Sequence, residues 1–129
     1  MSNQFRGICE QVCQEQGWTL QGNGVRVPLP EDRSQVVELE TFEYEDETLV
    51  RLTTVIGGAA ALSEVRIRAA LELNARLPHG AFAVRSGDLV MTETLLLEDA
   101  DATELEASLR YLAVTADRYE EQLFDTDEH

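Results

Sequence analysis

The sequence predicts an α+β fold, one domain over residues 1–129 with helices packed on one face of an antiparallel sheet. Three observations lead there. Apolar residues recur at helical spacing in three separate segments. Runs rich in Val, Ile, Leu and Thr come in pairs joined by short polar turns, the pattern of hairpins. The order of these pieces, α-β-β-β-α-β-β-α, keeps strands grouped instead of alternating them singly with helices, which suits an antiparallel sheet.

Each element has its own warrant. Phe5, Ile8, Cys9, Val12 and Cys13 fall on one helical stripe, and Gly17 ends it. "WTLQ" (18–21) and "VRVPLP" (25–30) read as one broken first strand with a turn at Gly22-Asn23-Gly24. Pro28 and Pro30 demote its second half to an edge or a loop arm. Residues 34–44 and 48–56 form a hairpin about Glu45-Asp46-Glu47. Residues 59–77 read as a helix with Leu62, Val65, Ala69, Leu73 and Leu77 inward. Glu64/Arg68 and Glu72/Arg76 stand i,i+4 on its surface, and Pro78 stops it. A second hairpin, 81–85 and 89–97, turns at Ser86-Gly87-Asp88. The last helix starts with Asp101 and Glu104 as a capping pair. Its seam is Leu105, Leu109, Leu112, Ala116, Tyr119 and Leu123.

Composition narrows the function. The chain has 129 residues, 43% hydrophobic and 27% charged, which is globular and large enough for a core without staples. Its formal net charge is −15, and all 10 basic residues are Arg. That balance repels phosphate backbones and anionic lipid, arguing against nucleic acid and membrane partners and for a basic or amphipathic polypeptide. No apolar run is long enough to span a bilayer and no signal-peptide core opens the chain, so the expected location is the cytoplasm. Cys9 and Cys13 lie on the apolar stripe, too constrained by helix geometry to bridge, and are expected as reduced thiols in the core.

Chemistry-bearing motifs fail one by one. Asp99, Asp101 and Thr103 match the first positions of a calcium loop, but Glu104 stands where Gly is needed and Arg110 where Glu is needed. "VIGGAAAL" lacks the Lys-Ser/Thr of a phosphate loop. His79 has no partner in the sequence that would make it an acid or base. The sequence therefore offers no catalytic residue, no metal ligand and no cofactor.

The segment "VVELETFEYEDETLV" (36–50) is the one unusual feature. Glu38 to Glu47 carries six acidic side chains and no basic one. Its apolar phase also flips. Val37 and Leu39 are odd, whereas Phe42 and Tyr44 are even, and side chains on a strand alternate faces. Either a bulge near Thr41-Phe42 restores the phase, or the two sets face different neighbours. In the second case Phe42 and Tyr44 sit on a surface rimmed by carboxylates, a protein-contact patch.

From Leu71 to Leu123 the chain resembles a known family. A helix ending at Leu73-Asn74, a Leu77-Pro78 turn, a short strand, a Gly87-Asp88 turn, an apolar strand and a Leu-seamed helix ending near Asp117-Arg118-Tyr119 are similar to the type III secretion chaperone-like superfamily. Within it, the YbjN and CesT-type proteins are the nearest likeness. The resemblance implies a small acidic homodimer that holds an extended segment of a client protein without nucleotide or catalysis. It places the dimer seam on the helix 59–77 and the strand 81–85. Trp18, Leu20, Phe42 and Tyr44 are the expected partner contacts. Rival readings are an adaptor or regulator of a folded partner, and a small-ligand-binding domain.

Overall fold

The computed structural model describes residues 2–124. Its order is α1 (Asn3–Gln16), β1 (Thr19–Gln21), β2 (Gly24–Leu29), β3 (Arg33–Tyr44), β4 (Glu47–Gly58), α2 (Glu64–Leu73), β5 (Ala81–Arg85), β6 (Asp88–Leu96) and α3 (Ala102–Phe124). Short 3-10 turns at Ala59–Ala61 and Leu97–Asp99 lead into α2 and α3. The six strands form one sheet in the order β1-β2-β3-β4-β6-β5, and every ladder is antiparallel.

The expected broken first strand is instead a hairpin. β1 turns back at Gly22-Asn23 and pairs with β2, Thr19 opposite Arg26 and Leu20 opposite Val25. Gly22 supplies the positive φ of the turn, at 62°. Pro28 is tolerated inside β2 because it lies beyond the last partner in β1, so on that side no ladder bond is lost.

One face of the sheet carries the core. Val25, Val27, Val37, Leu39, Val50, Leu52, Leu89, Met91 and Phe82 point to it and are buried. Against them lie Phe5, Cys9 and Val12 of α1 and Leu105, Leu109, Leu112 and Ala116 of α3. The seam expected for α3 is the buried one, with Tyr119 half-buried and stacked edge-on to Phe82 at 5.1 Å. Both ends of this layer are capped from the sequence. Ser2 accepts from the Phe5 amide (3.2 Å), Gly17 closes α1 in the left-handed conformation, and Asp101 accepts from the Glu104 amide (2.8 Å).

The helix read over 59–77 is shorter and rotated. Leu62 is extended, and Ser63 restarts the helix by accepting from the Arg66 amide at 3.2 Å. That break resets the phase. Ala70 becomes fully buried and Ile67 half-buried, while Val65, expected inward, is 77% exposed. Past Leu73 the chain continues as tight turns to Arg76. Neither surface Glu/Arg pair closes to an ion pair. Arg66 donates instead to the Leu123 carbonyl at the end of α3.

Asn74 fixes α2 to the sheet edge. Its Oδ1 accepts from the Phe82 amide (2.7 Å) and its Nδ2 donates to the Phe82 carbonyl (3.1 Å). The side chain thus stands in for a missing strand along the outer edge of β5.

Candidate functional site

The apolar phase flip in β3 is not absorbed by a bulge. β3 pairs with β4 in unbroken register from Val37–Thr54 to Tyr44–Glu47. The bulge lies in β4, where Ile56 is the extra residue between the pairs Val55–Val90 and Gly57–Leu89. Gln35 accompanies it, donating from Nε2 to the Val55 carbonyl (2.7 Å) and to Thr54 Oγ1 (2.9 Å), so this buried amide is satisfied. Phe42 and Tyr44 therefore occupy the face opposite Val37 and Leu39, which carries no helix.

β3 is also paired unevenly. β2 accompanies it only from Arg33 to Glu38, and Asn23 adds two contacts to Leu39, its carbonyl accepting from the amide (2.8 Å) and its Nδ2 donating to the carbonyl (3.2 Å). From Glu40 to Tyr44 no strand lies along that edge among the described residues. Each of these five residues is exposed or half-buried. The open half-edge ends at the acidic turn, where Glu45 and Asp46 take positive φ values of 48° and 68° and close a two-residue hairpin.

The four expected contacts do not converge. Phe42 is half-buried under Arg51, whose guanidinium lies 4.3 Å above the ring, and Tyr44 is 60% exposed. Trp18 and Leu20 are half-buried on the core side at the other margin of the sheet. There Arg110 covers the Trp18 ring at 5.2 Å, held by Gln16 and Glu106. Phe42 and Tyr44 belong with the open half-edge; Trp18 and Leu20 close the core.

Two apolar surfaces were not evident from spacing. The helix-free face leaves Val36 and Val55 each 39% exposed, with Leu49 and Leu96 half-buried beside Phe42. Arg85 reaches across this face to Glu38 (3.3 Å). The second surface is a groove of about 840 Å³ where the end of the sheet meets the starts of α1 and α3. Its apolar part is Phe5, Ile8, Leu96, Leu97 and Ala100; its acidic part is Asp46, Glu47, Glu98 and Asp101. The signal available in the sequence was charge alone, since these residues come from three separated segments.

Elsewhere a small cleft gathers ionisable side chains. Glu93, His79, Glu104 and Tyr111 line a cleft of about 70 Å³, room for a water or two. Burial raises the Glu93 carboxyl above the usual range, His79 opposes that and Glu104 adds to it. No group of three or more His, Cys, Asp or Glu among the described residues is arranged to hold a metal ion. Cys9 and Cys13 are buried and free; burial, with Cys13 adding to it, pushes the Cys9 thiol up to about 11. No helix in the described residues is long and apolar enough to cross a membrane.

Comparison with known proteins matches the chain to a family. The family model described as "YbjN: Putative bacterial sensory transduction regulator" matches residues 9–125. No curated protein matches the chain.

Proposed function

The chain belongs to the YbjN family, and from that premise we propose that it is a non-enzymatic protein-binding module, a dimer that holds an extended segment of a client polypeptide. The observation that carries this reading is the open half-edge of β3. Backbone groups from Glu40 to Tyr44 on that side have no strand partner, and an added strand satisfies them while its side chains meet Phe42 and Tyr44. The carboxylates of the adjoining turn steer a basic client, which raises the association rate more than the affinity.

Dimerisation is supported by α2 and β5. Val65, Leu71 and Val84 are exposed apolar side chains on these two neighbouring elements, at the margin of the sheet away from β1.

The test uses unfolded peptides spanning candidate clients and hydrogen exchange of the full chain. The expected result is new protection of amides within 40–44, and binding weakened about tenfold by Phe42→Ala with Tyr44→Ala. Protection confined to Val36, Val55 and their neighbours, given by a folded domain, would replace this reading with a second. The exposed helix-free face favours that second reading, an adaptor or regulator of a folded partner.

A further inference from the structure

We infer that the groove between the starts of α1 and α3 is a second docking site, and that it takes a cationic amphipathic segment, an apolar anchor flanked by arginine or lysine. The inference rests on the protein-binding reading but not on the β3 edge. Ile8 and Leu97, which pack against the core, and Leu96, at the end of β6, stay half-buried in the groove, so an apolar side chain entering there removes further apolar surface from water. The volume, about 840 Å³, gives room on an open groove for several side chains.

Charge selects the occupant. Asp46 and Glu47 come from the β3–β4 turn, Glu98 and Asp101 from the approach to α3, and none of the chain's 10 arginines lines the groove. Arg6, on the adjoining helix, is turned away, donating to the Gly22 carbonyl at 3.1 Å and lying 3.6 Å from Glu10. None of the four rim carboxylates is ion-paired among the described residues. A second copy of the chain brings a formal charge of −15 to this rim and is disfavoured by repulsion. An anionic lipid or nucleic acid is disfavoured in the same way. A cationic segment gains both from the apolar floor and from the unpaired carboxylates.

The experiment titrates the full chain, by calorimetry, with two leucine–arginine peptides, one with helical and one with alternating apolar spacing. Peptides with glutamate in place of every arginine are the controls. Either arginine peptide should bind and neither glutamate peptide should. Glu47→Arg with Glu98→Arg, both exposed positions, should weaken binding about tenfold and leave the melting curve unchanged. Phe42→Ala with Tyr44→Ala should leave binding of the helically spaced peptide, whose apolar pattern does not suit addition as a strand, within about twofold. Equal binding of glutamate peptides, or indifference to the rim reversal, overturns the proposal. So does loss of helical-peptide binding in the Phe42/Tyr44 variant, which puts that peptide on the β3 edge. A change in solution mass on rim reversal also overturns it, by showing that a second copy occupies the groove. Failure of the β3-edge test leaves these outcomes intact, so the two readings fail separately.

Discussion

At the scale of single residues, Glu93 is the clearest conflict with the fold. Its Oε1 is buried with no hydrogen-bond partner among the described residues, and burial raises its pKa. An acid whose folded pKa lies above its unfolded value supports the fold while protonated and loses that support as pH rises through the folded pKa. Glu93→Gln should therefore raise the melting temperature near pH 7. The gain should vanish below about pH 4, where both states are protonated, and thermal scans at the two pH values check it. Cys9 gives a second expectation. With its pKa near 11 and no exposure, it should resist iodoacetamide at neutral pH and react at the rate of global unfolding. Mass spectrometry after timed alkylation reads this out. The sequence showed the role of the two cysteines because stripe position alone decides it. It could not show the state of Glu93, which depends on the distant residues Glu104 and Tyr111 of α3 closing over it.

At the scale of elements, α3 was legible and α2 was not. The 23 residues of α3 present one long stripe, and length makes the phase unambiguous. α2 has only 10, and one cap residue inside the apolar run sets its phase. Ser63 followed by Glu64 was the available signal, masked by the alanines before it. Ser63→Ala should cost about 0.5–2 kcal/mol in urea denaturation. Asn74→Ala should cost about 1–3 kcal/mol, because it strands both backbone groups of Phe82 at the sheet edge. Leu109→Ala, at a fully buried seam position, should cost about 2–5 kcal/mol. The first hairpin was misread for a similar reason. Prolines in β2 suggested a broken strand, whereas the shortness of β1 leaves them room. In β3 the phase flip was visible but its resolution was not, because local spacing does not say whether a bulge hides Phe42 and Tyr44 or the helix-free face receives them.

At the scale of the whole molecule, the sheet wears its helices on one side, and α2 and β5 leave apolar side chains outward at one margin. In the proposed dimer, Val65→Glu with Val84→Glu should convert a dimeric mass to a monomeric one by light scattering, without loss of helical signal. An unchanged mass removes these elements from the proposed seam. The order of elements was legible at this scale, since a run of soft apolar spacings and turns suffices to order them, and the family likeness agrees with it. It could not give the groove, whose walls meet only after folding. The uneven pairing of β3 also keeps time. Along a strand, successive amides point to opposite neighbours. From Glu40 to Tyr44 one set is locked against β4 and the other looks onto an empty lane. In deuterated water the free chain should therefore label this segment in a stutter, every second position quickly and its neighbours slowly. A bound strand would even out the rhythm, so the exchange record itself would report occupancy without any label on the partner.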